Sequence, residues 1–210
     1  NTLRHYGALS AYGSDIPIAC AGIISKVNQV FMAICIGISQ GSQPILGFNY
    51  GAEKYSRVRQ TYRYSVTLCT VIATIFFICF QFFPHQIVGI FGNGSDLYFH
   101  FAEKYLRIFM LMTFANGIQP MSACFFTSIG KARLGVIMSL TRQVLFLLPL
   151  IVIFPVFFGI DGVMYAGPIS ETSAFVLDVF LDRRDLGFMK AAEQYALIEK
   201  ESCLQDSPPA

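Results

Sequence analysis

The sequence predicts an all-α membrane protein, a polytopic bundle with five complete membrane-spanning helices. Hydrophobic residues make up 54% of the chain and charged residues only 13%, and the mean hydropathy is +0.55, which is high for a soluble domain. In addition, five stretches are each long enough to cross a bilayer as a helix, which takes about 20 mostly apolar residues.

Short connections separate the predicted helices, as is usual for antiparallel neighbours in a bundle. The five stretches are 16–46, 64–83, 105–129, 134–158 and 160–181. After residue 181 the sequence becomes polar. We therefore expect residues 1–185 to form one helical lobe and residues 186–210 to form a polar tail.

The first stretch has two different faces when it is drawn as a helix of 100° per residue. One face is small and polar: Ala19, Gly22, Lys26, Gln29, Ala33, Gly37, Gln40 and Pro44. The opposite face suits lipid: Ile24, Phe31, Cys35 and Ile38. Two interpretations of the polar face are open. Lys26 and Gln29 face a water-filled cavity, or the small residues pack against another helix while Lys26 pairs with a carboxylate. Gly37 and Gly41 form a GxxxG pair, which favours packing in their part of the helix.

The run GISQGSQPILGFNYGAEKYSRVR, residues 37–59, is expected to be the place where this helix leaves the membrane. Pro44 is expected to end or bend the helix, and Gly47 and Gly51 are expected to let the chain turn. A phosphate-binding loop would need GxxxxGKS or GxxxxGKT between a strand and a helix. The spacing in GFNYGAEKYS differs, so this run is not such a loop.

The basic residues predict the orientation in the membrane. Ten of the fifteen lysines and arginines fall on one side of the membrane, in the loops at 47–63 and near 130 or in the tail. Three fall on the other side, which includes the loop at 84–104, and two lie within spans. Because the side richer in bases is normally cytoplasmic, we expect the amino end outside and the tail in the cytoplasm.

Two further spans carry polar groups whose presence needs an explanation, because polar side chains are energetically costly inside a bilayer. Asn116 and Gln119 share one face of the third span, where Pro120 removes a backbone hydrogen bond and is expected to kink the helix. Arg142 lies within the fourth span.

The fifth span contains Glu171 about midway along its length. We expect this carboxylate either to form a structural ion pair or to take up and release a proton during transport. Asp178, closer to the end of the span, is expected to reach water or Arg183.

Several function classes are disfavoured. The six cysteines show no CxxC spacing and have no nearby histidine, so no metal site is predicted. A net charge of +2 is too small to indicate nucleic-acid binding. The chain contains no HExxH motif, and its three histidines all fall in predicted outer loops, so we do not expect an enzyme.

Residues 37–59 resemble the segment that closes the eighth helix of bacterial transporters in the multidrug and toxic compound extrusion (MATE) family. Further matches follow in the family's order. LSAYGSDIPIACAGI resembles the junction of the seventh and eighth helices, LRIFMLMTFANGIQP the tenth helix, SIGKARLGVIMSLTRQVLFLLPL the eleventh, and FGIDGVMYAGPISE the twelfth. Together these matches cover about residues 1–185.

The resemblance implies an exporter of twelve helices, built from two six-helix halves around a central cleft that opens to either side in turn. Such proteins export amphipathic drugs or metabolites in exchange for H⁺ or Na⁺ and use no other cofactor. This chain would be most of the carboxyl-terminal half, with five complete helices and the end of a sixth. It would lie in the bacterial cytoplasmic (inner) membrane and depend for activity on the missing amino-terminal half of the same protein.

Seven residues are then expected along the substrate and ion pathway: Lys26, Gln29, Gln40, Asn116, Gln119, Arg142 and Glu171. Glu171 matches an acidic position in the family's twelfth helix. Some members carry an acidic residue in the tenth helix, where this chain offers only Asn116 and Gln119, so the coupling ion stays open. Typical substrates are cationic, so either Lys26 and Arg142 are paired or the substrate is anionic or neutral.

Two other functions are compatible with the sequence. A lipid-linked oligosaccharide flippase of the same superfamily would have the same architecture and would favour basic residues in its cleft. A membrane scaffold without transport activity would need no second half.

Overall fold

The computed structural model describes residues 13, 15–91 and 95–205, and for residues 160 and 195–205 it describes the backbone alone. The predicted end of a preceding helix falls at residues 1–12 and so lies outside the described residues.

The described part of the chain is a bundle of helices without a β-strand, which confirms the predicted all-α class. In chain order the α-helices are α1 (Asp15–Gly51), α2 (Tyr55–Phe82), α3 (Pro84–Phe91), α4 (Asp96–Phe109), α5 (Thr113–Asn116), α6 (Ile118–Ser128), α7 (Ala132–Leu140), α8 (Leu148–Phe158) and α9 (Ile160–Gln205). A 3₁₀ turn at Met110–Met112 joins α4 to α5, and a π-helix at Thr141–Leu147 joins α7 to α8.

Four helical segments are long and apolar enough to cross a membrane: Asp15–Gly51, Tyr55–Phe82, Asp96–Ser128 and Ala132–Phe158. Each overlaps one of the first four predicted stretches. α9 does not meet the same criterion, because small and polar residues, among them Asp161 and Glu171, dilute its apolar content. The span at 160–181 therefore stays a prediction, and α9 continues as helix through the predicted boundary at residue 185.

Much of the sequence predicted as loop is helical. α3 and the start of α4 occupy most of residues 84–104, and α1 and α2 leave only residues 52–54 between them. Hydropathy identifies only the apolar part of a helix, so the polar ends of these helices were not predicted. At the start of α4, for example, Ser95 caps the helix by accepting a hydrogen bond from the Tyr98 backbone N–H.

Prolines explain the irregular segments of the third and fourth spans. Pro120 cannot donate a backbone hydrogen bond to Asn116, and the helix is interrupted at Gly117. Pro149 likewise cannot donate to Leu145, and the π-helix directly precedes it.

The apolar face of α1 packs against the other helices in the core. The expectation that this face meets lipid was therefore wrong. Ile24, Phe31 and Cys35 are fully buried, and Ile38 is half-buried. Ile24 packs in a cluster with α4, and the Phe31 ring lies 5.5 Å from the Phe76 ring of α2. The small, polar face is the exposed one.

Pro44 does not end α1, and Gly47 does not turn the chain; the turn comes directly after Gly51. Pro44 lies inside the helix, which ends at Gly51, and Glu53 makes the turn with a φ of 57°. Gly47 is helical, and a Cβ built on it would contact Ser128 O at 3.4 Å. Nothing in the described structure lies within 4 Å of a Cβ built on Gly37 or Gly41, so their predicted helix contact is not made within this lobe.

Candidate functional site

An ion pair joins three helical segments near the middle of the bundle. Arg142 Nη1 donates hydrogen bonds to Glu171 Oε1 at 2.8 Å and to Asn116 Oδ1 at 3.2 Å. The side chains of Arg142 and Glu171 are 21% and 17% exposed. Each charge therefore has its partner, with Asn116 as an additional neutral acceptor.

Local irregularities of the backbone position two of these three groups. Asn116 is the last residue of α5, immediately before the break at Gly117. Arg142 belongs to the π-helix, a conformation that is rare and is found frequently at functional sites. The prolines that cause the irregularities thus also determine where the polar groups meet.

A cavity of about 550 Å³ lies beside the ion pair, between α1, α6, α7 and the π-helix. Its polar lining residues are Ser39, Gln40, Gln43, Gln119, Thr127, Ser139, Arg142 and Gln143. Uncharged groups predominate, and Arg142 is the one ionised residue in the lining. Because Glu171 neutralises Arg142, the cavity presents hydrogen-bonding groups and apolar surface with little net charge.

The structure brings together five of the seven predicted pathway residues. Gln40, Gln119 and Arg142 line the cavity, and Asn116 and Glu171 bind Arg142. The other two do not reach this site.

Lys26 and Gln29 lie on the same exposed face of α1 as Gln40. At 1.5 Å per residue they are about 21 and 16 Å farther along the helix axis. Lys26 forms no ion pair with any described side chain. Its predicted pairing with a carboxylate is therefore not found in this part of the protein.

A second polar cluster was missed by the sequence analysis. Asp182 Oδ2 accepts hydrogen bonds from Ser122 Oγ at 2.5 Å and from the Tyr62 hydroxyl. One turn away, Asp178 is 1% exposed, and neither its Oδ2 nor Asp182 Oδ1 has a hydrogen-bond partner among the described atoms. The signal in the sequence was the spacing of Glu171, Asp178, Asp182 and Asp185, which places all four on one helix face.

The expectation that Asp178 reaches water or Arg183 was wrong. α9 does not leave the bundle after residue 181. The face that carries Asp178, Asp182 and Met189 continues to pack against α2 and α6, so these side chains are buried, whereas Arg183 is exposed.

The described residues contain no group of three His, Cys, Asp or Glu side chains that could hold a metal ion. The candidate site is therefore a polar cavity with an adjoining ion pair.

Comparisons with known proteins agree on the kind of protein that shares these features. The MatE family model matches residues 7–153. The multidrug export protein MepA of Staphylococcus saprophyticus is 26% identical over 186 residues, which are 87% of this chain and 40% of that protein. MepA of Staphylococcus aureus strain MSSA476 is 25% identical over 170 residues, 81% of this chain and 36% of that protein.

Solved structures show the same fold. An outward-facing multidrug resistance MATE family transporter of the MOP superfamily superposes with a TM-score of 0.80 at 16% identity, covering 90% of this chain and 42% of that one. The MATE multidrug transporter DinF-BH superposes with a TM-score of 0.74 at 33% identity, covering 83% of this chain and 39% of that one. The chain thus spans about two fifths of the length of the proteins it matches.

Proposed function

Because this multi-pass membrane chain belongs to the MATE family of multidrug transporters, we propose that it forms the carboxyl-terminal lobe of a secondary active exporter. Members of this family are transporters rather than enzymes. The exporter moves amphipathic small molecules out of the cell in exchange for H⁺ or Na⁺. The partner of this lobe is the amino-terminal half of the same protein, without which we expect no transport.

The observation that carries this proposal is the cavity beside the Arg142–Glu171 pair. An amphipathic drug needs apolar surface for its ring system and a few hydrogen-bonding groups for orientation. Gln40 and Gln119 supply such groups, and Met32 and Ile36 on α1 supply apolar surface in the same cavity. The exposed face of α1, including Lys26 and Gln29, extends this lining toward the other half.

The ion pair offers a way to couple cation entry to substrate release. In the paired state Glu171 masks the charge of Arg142, so a cationic substrate can bind nearby. When H⁺ or Na⁺ neutralises Glu171, Arg142 keeps only the uncharged oxygen of Asn116, and its guanidinium repels the substrate. A cation bound on one side thereby favours release of a cationic drug.

The same pairing argues against the flippase alternative. A flippase for an anionic lipid-linked sugar would use several unpaired basic groups in the cleft. Here Arg142 is neutralised, and Lys26 is the single base on the exposed face of α1. A scaffold would have no use for a polar cavity next to an ion pair inside the membrane.

The orientation follows from the basic loops. Lys131, between α6 and α7, pairs with Asp185, and Arg59 near the start of α2 pairs with Glu193. These contacts hold the basic segments at one end of the bundle. We propose that this end faces the cytoplasm of a bacterial inner membrane.

The test is dye export by cells that express the full-length protein containing this chain. We expect lower accumulation of ethidium-type cations than in cells without the protein. Glu171→Gln, which mimics the neutral carboxyl, should abolish the coupling of export to the H⁺ or Na⁺ gradient. Glu53→Gln, at the exposed turn after α1, is the matched control and should export normally.

The outcomes distinguish the proposed export activity from the proposed coupling role of the ion pair. Unchanged accumulation across a panel of amphipathic cations would show that multidrug export is wrong. Full gradient-driven export by Glu171→Gln would exclude only the coupling role of the ion pair.

A further inference from the structure

A groove runs along the outer side of α2, away from the candidate site. Its basic end, with a volume of about 510 Å³, is lined by Arg59, Arg63 and Lys190. Its second part, about 380 Å³, is lined by Val66, Val71 and Ile75 together with three threonines, and the two parts share Val66 and Thr67. We call this continuous depression the α2 groove.

The basic end has more cationic than anionic groups. Arg59 Nη2 binds Glu193 at 2.5 Å, but its Nη1 is buried and has no hydrogen-bond partner among the described atoms. Arg63 and Lys190 are exposed and form no ion pair with a described side chain. The exposed Arg63 and Lys190 therefore leave two positive charges open to an anionic oxygen at this end of the groove.

The rest of the groove is mostly apolar and lies on an exposed face of a helix that is able to cross the membrane. α2 is one of the segments able to cross the membrane, and Val71 and Ile75 are 51% and 54% exposed. From Arg59 to Ile75 the helix rises about 24 Å. A free phosphate would use only the basic end, whereas a phospholipid has an anionic headgroup and acyl chains that match both parts.

We propose that the α2 groove binds an anionic phospholipid, with the phosphate at Arg59, Arg63 and Lys190 and an acyl chain along Val66, Val71 and Ile75. The predicted cytoplasmic position suits such a lipid, because basic pockets between membrane helices on that side bind anionic headgroups. The lipid would join α2 to α9 beyond residue 185. This inference depends on membrane insertion and on the proposed orientation, and not on the transport mechanism.

Native mass spectrometry of the purified protein tests the proposal. We expect phosphatidylglycerol to be retained in preference to phosphatidylcholine. Arg63→Gln combined with Lys190→Gln should weaken that retention at least about tenfold, since each base near the headgroup contributes about 1 kcal/mol. Arg57→Gln, an exposed base on the same helix outside the groove, is the matched control and should retain the lipid.

Three results would overturn the proposal. Equal retention of phosphatidylcholine would show that the headgroup charge is not recognised. Full displacement of the lipid by inorganic phosphate would assign the site to a free anion. An equal loss in Arg57→Gln would show nonspecific attraction to bases. Because the substituted side chains are exposed, the variants should elute as the parent protein does, and this is checked by size-exclusion chromatography.

Discussion

At the scale of single residues, buried charges differ in how well they are satisfied. Arg142 and Glu171 neutralise each other, and Asn116 accepts a second hydrogen bond from the guanidinium. Asp182 has two hydroxyl donors on one oxygen, whereas Asp178 Oδ2 is buried with none among the described atoms. These differences predict unequal effects of two substitutions one turn apart.

We expect Asp182→Ala to destabilise the protein by about 1–3 kcal/mol, because Tyr62 and Ser122 would each lose a buried acceptor. Asp178→Asn should cost little, since it removes a buried charge from an oxygen that has no donor. Thermal unfolding in detergent measures both. Equal destabilisation by the two variants would contradict the hydrogen-bonding pattern described here.

At the scale of helices, close contacts are made at glycines other than those in the GxxxG pair. A Cβ built on Gly135 of α7 would lie 2.9 Å from Ala123 O of α6, and one built on Gly167 would lie 2.7 Å from the Phe109 ring. Gly41 of α1 has open space around it in the described structure. The contacts of α7 and α9 therefore require glycine, whereas Gly41 tolerates a side chain.

Gly135→Ala should lower stability by about 1–3 kcal/mol, because α6 and α7 must separate to admit the methyl group. Gly41→Ala is the matched control on α1 and should leave stability unchanged or raise it by up to about 1 kcal/mol, since alanine favours helix. Thermal unfolding of both variants measures these changes in stability. If Gly41→Ala were the more damaging, α1 would pack through its GxxxG pair as the sequence first indicated.

The apolar parts of the helices could be predicted because length and hydropathy determine them, and Pro120 lies three residues after the interruption at Gly117. The orientation of α1 could not be predicted, because the same periodicity fits a buried apolar face and a lipid-facing one. Phe31 and Cys35 are buried only because α2 packs on them. The burial of Asp178 likewise depends on neighbouring helices, which local sequence does not encode.

At the scale of the whole molecule, the lobe leaves one polar surface uncovered. The complete small and polar face of α1, from Ala19 to Pro44, is exposed, and the cavity lies beside its lower part. A membrane protein that exposed such a face to lipid would leave Lys26 and Gln29 without polar partners. This argues for a second lobe, or water held between two lobes, on that side.

The final prediction concerns the orientation of the bundle. Gln86 of α3 and Ala132 at the start of α7 are exposed at opposite ends. In a background without the native cysteines, Gln86→Cys should react with a membrane-impermeant maleimide on intact cells, because its end carries few bases and is expected outside. Ala132→Cys, next to Lys131 and Arg133, should react only after permeabilisation. The reverse labelling would overturn the proposed orientation and would place the α2 groove on the outer surface.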